Sequence, residues 1–157
     1  MRDDVEMYLA IDPGGTTGLA WLTVGEDGKM FFGSEQVEGR YEAETWIAQT
    51  IGLILIDITV IIERWDVRKN THSLTNQDDP RYIIGYVDGI SNALHHVTYV
   101  EQTPAQAKKF GTDDKLKQMG WYVAGEDHSR DAARHLLTYL VRQASPVGDH
   151  IRKELTK

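Results

Sequence analysis

Residues Ile58-Thr59-Val60-Ile61-Ile62-Glu63 are a β-branched run of the kind that forms a fully buried strand, and the run ends in an acid. Glu63 therefore projects from the end of a central strand. The start of the chain repeats the pattern. The apolar stretch Tyr8-Leu9-Ala10-Ile11 delivers Asp12, and Pro13-Gly14-Gly15-Thr16 breaks into a turn before a second strand begins at Thr17-Gly18-Leu19-Ala20-Trp21. Burying a lone carboxylate costs several kcal/mol unless it is paired or bound to a metal, so Asp12 is badly placed for a core and well placed for a cation. Taken singly it has a plainer reading, an acid capping a hairpin turn. What decides between them is whether other acids arrive at the same place.

A third acidic setting lies near the far end. Gly125-Glu126-Asp127-His128-Ser129-Arg130-Asp131 starts a helix whose Ala133, Leu136, Leu137 and Leu140 fall on one face, at spacings of about 3.6 residues. His128 and Asp131 are three apart and share a flank of that helix beside its buried face, which is a metal-ligand spacing. Alone, the same residues also describe a solvated first turn, with Asp127 and Asp131 favoured by the helix dipole.

Periodicity and turn chemistry supply the rest of the map. Residues 6 to 12, 17 to 24 and 29 to 37 read as a three-stranded antiparallel meander, with Glu26-Asp27-Gly28 as a turn. Ala43, Trp46, Ile47, Thr50, Ile51, Ile54 and Leu55 recur at helical spacing between about Tyr41 and Ile56. A strand over 58 to 64 follows, then a polar loop from Trp65 to Asp79. Asp79 as N-cap and Pro80 as first helical residue open a helix to about His95. Val97 to Glu101 is the last strand. Thr103-Pro104 and Thr112 are helix starts, Gly120 is a stop, and a terminal helix covers about Asp127 to Gln143.

Acids at two strand ends and a His-x-x-Asp on a closing helix, in this element order, resemble the RuvC-type Holliday junction resolvases of the RNase H-like nuclease superfamily. The carriers are Ile11-Asp12-Pro13-Gly14 followed by Thr17-Gly18-Leu19-Ala20, the strand ending at Glu63, and His128-Ser129-Arg130-Asp131-Ala132-Ala133. The resemblance runs over nearly the whole chain, and the small size looks like the phage-encoded branch. It implies a single RNase H-like α/β domain over residues 1–157, with a central mixed five-stranded sheet flanked by helices. It also implies Asp12, Glu63, His128 and Asp131 as catalytic metal ligands holding two Mg²⁺ or Mn²⁺ ions per active site, and a homodimer cutting four-way junctions or other branched DNA such as flaps and replication forks by paired nicks.

That chemistry is consistent with the residue types. Hydrolysing a phosphodiester needs charge neutralised on the phosphate, an activated water and a stabilised leaving oxygen, and two divalent ions can supply all three. Oxygen-rich ligands select Mg²⁺ or Mn²⁺, and an imidazole tilts the site towards Mn²⁺. The chain has no cysteine for a thiolate site. It also has no Gly-x-x-x-x-Gly-Lys loop and no His-Glu-x-x-His helix.

Charge opposes a nuclease at first sight. Seventeen Lys and Arg stand against 24 Asp and Glu, for a formal charge of −7, where a DNA binder should carry a basic patch. The distribution softens the objection. Much of the acidity lies in residues 25 to 44, while Arg64, Arg68, Lys69, Lys108, Lys109, Lys115 and Lys117 fall in segments that the resemblance places beside the metal site, where they are candidate DNA contacts. The sequence shows no stretch of membrane-span length and no charged n-region followed by an apolar h-region, so a cytoplasmic protein of a bacterium or phage-infected host is expected, with no membrane partner.

Two further features bear on the substrate and partner. The long loop after Glu63 corresponds to the region by which such resolvases enter a junction, yet Trp65 lies only two positions after the acid, so it serves either as a wedge or as a core residue closing the strand. In the helix from 80 to 95, Gly85, Gly89 and Ala93 form a small-residue stripe, and glycine inside a helix costs about 1 kcal/mol against alanine. Close approach by another backbone would explain it, from either the sheet beneath or a second subunit. Competing functions remain. Asp-x-Gly-Gly-Thr also resembles the phosphate loop of the actin and sugar-kinase superfamily, a nucleotide-binding phosphotransferase reading. A non-catalytic DNA-binding scaffold is the third.

Overall fold

The computed structural model describes residues 5–64 and 78–157; Trp65, Arg68 and Lys69 lie outside the described residues. Three strands open the chain: β1 (Glu6–Asp12), β2 (Thr16–Val24) and β3 (Met30–Glu38). They are followed by α1 (Arg40–Leu53), β4 (Asp57–Glu63), α2 (Asp78–Ala93) and β5 (Val97–Gln102). Four helices complete the order: α3 (Pro104–Phe110), α4 (Asp113–Met119), α5 (Asp127–Leu140) and α6 (Pro146–Glu154). The strands form one mixed five-stranded sheet in the order β3-β2-β1-β4-β5. β1 is antiparallel to β2 and parallel to β4, and β4 is parallel to β5. No helix of the described residues is long and apolar enough to cross a membrane.

The alternation of side chains along the two central strands builds two apolar layers. Met7, Leu9 and Ile11 of β1 and Ile58, Val60 and Ile62 of β4 face Ala43, Ile47 and Ile51 of α1 and Ile83 and Val87 of α2. Tyr8 and Ala10 of β1 and Ile61 of β4 face Ala132, Ala133, Leu136, Leu137 and Leu140 of α5, with Val147 and Ile151 of α6 behind. A β-branched strand covered on both faces is what the run at 58 to 62 requires, and β4 lies between β1 and β5.

The elements match the sequence-based map except at a few ends. α2 begins at Asp78, so Pro80 is its third residue and Asp79 is already helical. The first-turn N–H groups lack intrahelical partners in any case, and proline there sacrifices nothing. α1 stops at Leu53 because Ile54 turns extended, with φ −95° and ψ 118°. α2 stops at Ala93 and α5 at Leu140, each short of the expected end. α6 was not expected as a separate element. Its start is capped by Ser145, whose Oγ accepts the Gly148 N–H at 3.2 Å, with Pro146 at the first helical position. The starts at Thr103 and Thr112 are capped as expected, and Gly120 ends α4 in the left-handed conformation at φ 73°.

The glycines of α2 do not face the sheet. Gly85, Gly89 and Ala93 are exposed, and a Cβ built on either glycine would meet nothing within 4 Å. Of the two explanations for the stripe, close packing on the sheet beneath is therefore removed.

Candidate active site

Parity along the strands decides where the acids point. Asp12 continues the face of Tyr8 and Ala10, and Glu63 continues that of Ile61, so both acids face the α5 side of the sheet. β1 and β4 are parallel and adjacent, with Ile11 registered on Ile62, so the two acids stand at the same end, one step past the last registered pair. The turn after Asp12 is tied by Thr17, a fully buried residue. Its hydroxyl donates to Gly14 O at 3.3 Å, and that hydroxyl oxygen lies 3.5 Å from Gly14 N, whose N–H it accepts.

Gly18 is what lets α5 reach them. It is the cross-strand partner of Asp12, and a Cβ on it would stand 1.9 Å from the His128 carbonyl oxygen and 2.9 Å from the Ser129 nitrogen. The first turn of α5 thus lies directly on the β2 backbone, with Ala132 and Ala133 continuing the close approach further along. This contact carries His128 to Asp12. His128 Nδ1 lies 3.2 Å from Asp12 Oδ2, and since a carboxylate only accepts, the ring nitrogen donates.

The other two acids have different present partners. Glu63 Oε2 accepts from His135 Nε2 at 2.7 Å, and His135 Nδ1 meets Gln102 Oε1 at 3.0 Å. Asp131 Oδ1 accepts from Arg134 Nη1 at 2.5 Å, and its Oδ2 lies 3.8 Å from Lys108 Nζ. Arg134 also donates through Nε to Gly111 O at 2.9 Å and is hydrogen-bonded to Asp113, which binds the α3–α4 junction to α5. The four candidate ligands therefore surround one end of the sheet without meeting at a point. Among the described residues, no group of three His, Asp or Glu is gathered closely enough to hold an ion as the side chains now stand.

Their electrostatics nevertheless act as one cluster. Burial pushes the Asp12 carboxyl above the ordinary carboxylate range, and the nearby charges of Glu63 and Asp131 push it further, while the His128 hydrogen bond works the other way. The same bond raises His128 above the usual histidine value, against its partial burial. A buried carboxylate under repulsion from two others is the condition that a divalent cation relieves. Three carboxylates and an imidazole also suit Mg²⁺ or Mn²⁺ in kind. The donor set fits such ions once Asp131 exchanges Arg134 for a metal.

Of the candidate cations, Lys108 and Lys109 are exposed on α3. Lys115 is committed within the fold, its ammonium 3.0 Å from Phe110 O and 3.6 Å from the Phe110 ring centre. Lys117 stands over Tyr122 at 4.8 Å. Arg64 N–H extends the β4–β5 pairing by donating to Gln102 O at 2.7 Å.

Sequence reasoning alone missed His135 and Gln102, and it quoted Thr17 and Gly18 as carriers of the resemblance without a role for either. His135 had a visible signal, since it lies seven residues after His128 and four after Asp131 on the same flank of α5. Gln102 had none, because only the β4–β5 register puts it beside Glu63.

No protein-family model matches the chain, and no curated protein matches it. Among solved structures, it is similar to T. thermophilus RuvC in complex with a Holliday junction substrate, at 18% identity and a TM-score of 0.57. The match covers 84% of this chain and 91% of that one. At that identity the likeness shows the fold: a RuvC-like, RNase H-like α/β architecture.

Proposed function

We propose that residues 1–157 form one nuclease domain, a structure-selective endodeoxyribonuclease that cuts four-way junctions or other branched DNA by metal-dependent hydrolysis. The observation that carries this reading is Asp12. It is a buried carboxylate at the end of a central strand, repelled by Glu63 and Asp131 and answered, among the described residues, by the half-exposed imidazole of His128. The T. thermophilus RuvC that shares the fold is seen with a Holliday junction, which supports the same substrate class here.

Asp12, Glu63 and Asp131 would hold two Mg²⁺ or Mn²⁺ ions, with His128 adding a nitrogen. Such a pair supplies charge for the phosphate, an acidified water and a counter-charge for the leaving oxygen. The chain's own residues do the rest. Asp12, fixed on a strand paired on both sides, sets the position to which the others are referred. Arg134, its bond to Asp131 exchanged for the metal, would still anchor α5 to the α3–α4 junction through Gly111 and Asp113. Lys108, beside Asp131, puts a positive charge where a phosphate would approach. Lys109, Lys117 and Arg64, with Arg68 and Lys69, are proposed to extend that track, giving an affinity that falls steeply with salt.

A homodimer through α2 completes the proposal. The exposed Gly85, Gly89 and Ala93 stripe would let two copies of this helix approach closely about a twofold axis, setting two sites to nick opposed strands.

The test is cleavage of a labelled four-way junction beside linear duplex, single strand and a flap, in Mg²⁺, Mn²⁺ and chelator, with Asp12→Asn as control. Metal-dependent paired nicks near the branch point, lost in the variant, are expected. No cutting of any DNA would overturn the reading and direct attention to nucleotide binding by the Asp12 to Thr16 turn.

A further inference from the structure

His135 is fully buried on α5 among apolar neighbours, yet it is a polar ring with both nitrogens engaged. An imidazole in that position loses its hydration, so it persists in a core only when its hydrogen bonds are made there. Its two partners come from adjacent strands: Glu63 ends β4, Gln102 ends β5, and the two are registered on one another. Gln102 is itself buried, at 7% exposure. The ring thus spans three elements, 72 residues from Glu63 and 33 from Gln102 along the chain.

We propose that His135, held from behind by Gln102, is a positioning residue that fixes the Glu63 carboxylate for metal binding. The proposal rests on the nuclease reading and assigns that site a supporting residue. Because Glu63 Oε2 can only accept, His135 Nε2 carries the proton that holds it. The amide of Gln102 meets Nδ1 on the far side of the ring, through its carbonyl or, turned over, its NH₂, and seats it. With Oε2 held by His135, Oε1 is the Glu63 oxygen that would meet a cation. Without His135, Glu63 is a three-torsion side chain at a strand end, repelled by Asp12, and it would swing towards solvent. Outer partners of ligating side chains are worth about 10–100-fold in metal affinity or activity.

The test measures Mn²⁺ binding to the full chain by calorimetry, without DNA, in wild type, His135→Met, His135→Gln and Glu63→Gln. The Met variant fills the space without a donor, whereas the Gln variant returns an N–H near the position of Nε2. Expected is a loss of about tenfold or more in Mn²⁺ affinity for Met, substantial recovery for Gln, and a fall in kcat for junction cleavage with KM little changed. Wild-type affinity in the Met variant, with affinity lost in Glu63→Gln, would overturn the positioning role while leaving Glu63 as ligand. Equal loss in the Met and Gln variants, with matching falls in melting temperature, would overturn it in favour of simple packing. Unchanged binding in Glu63→Gln would overturn the underlying ligand assignment and the proposal together.

Discussion

Gly18→Ala puts the whole arrangement at risk with a single methyl group. The added carbon would lie 1.9 Å from the His128 carbonyl oxygen, 2.2 Å from its carbon and 2.9 Å from the Ser129 nitrogen. All three are backbone atoms, so no side chain can swing aside. To reach even 3.0 Å, the oxygen must retreat by about 1.1 Å, and the first turn of α5 must lift off β2 with it. Overpacking of this kind costs about 1–3 kcal/mol, and the rigid contact places Gly18→Ala near the upper end. In a chain of this size that lowers the melting temperature by about 6–12 °C. The larger effect is on cutting. His128 and Asp131 ride on the displaced turn, and a shift of about 1 Å in a reacting group can cost about 100-fold in rate. The assay is junction cleavage in Mn²⁺ beside a thermal melt, with Gly52→Ala as reference, since a Cβ there meets nothing within 4 Å. Cutting within about threefold of wild type, with an unchanged melt, would refute the claim that this contact delivers α5 to Asp12.

Three more expectations can be checked on the same protein. Asp12→Asn should abolish cutting while raising the melting temperature of the metal-free chain at neutral pH, because it removes a buried charge that its surroundings disfavour; a lower melt would contradict that electrostatic account. His128 has a folded pKa raised above the ordinary histidine value of about 6.5, so the stability it contributes is complete below that value and is lost as pH rises through the folded one. In chelator, wild type should therefore lose stability relative to His128→Ala as pH rises above about 6.5, and melts that run parallel through that rise would count against the pair. On α2, Gly85→Ala and Gly89→Ala should each stabilise the dissociated subunit by about 0.5–1 kcal/mol in denaturant titrations at low protein concentration, since no atom of the same subunit opposes the added Cβ, and should weaken the dimer if the stripe is the subunit contact. Gly85→Trp should give a folded monomer by sedimentation if the stripe is a subunit contact, and an unchanged dimer would place that contact elsewhere.

Most of the architecture is legible in the sequence because it follows from local periods. The β-branched run at 58 to 62 fits only an inner strand, and the alternation leading to Asp12 and Glu63 puts each acid at a strand end. His128 and Asp131 are legible through helical spacing. What escapes depends on pairing across the chain. An imidazole beside Leu136 reads as core until the register of β4 on β5 supplies Glu63 and Gln102 as its partners. Gly18 stands in a stretch that the resemblance picks out, but its role is hidden until the first turn of α5 is seen lying on it. The present orientation of Asp131 follows from Arg134, three residues on, a spacing that is visible but competes with any metal role. α6 escapes because the apolar period of α5 extends past its true end at Leu140, over the start of the linker to Ser145.

The contact between Asp12 and His128 joins residues 116 apart in sequence. Its timing follows from that separation. The sheet can pair β1 with β2 and β2 with β3 early, through short-range contacts, but the candidate site stays open until α5 returns across it. On a ribosome, that return waits until Leu140, the last residue of α5, has been added. A partly synthesised chain would hold its first carboxylate in place without His128 and Asp131 beside it, so the proposed activity towards nucleic acid would switch on late. Chains released before α5 would lack two of the four proposed ligands, His128 and Asp131.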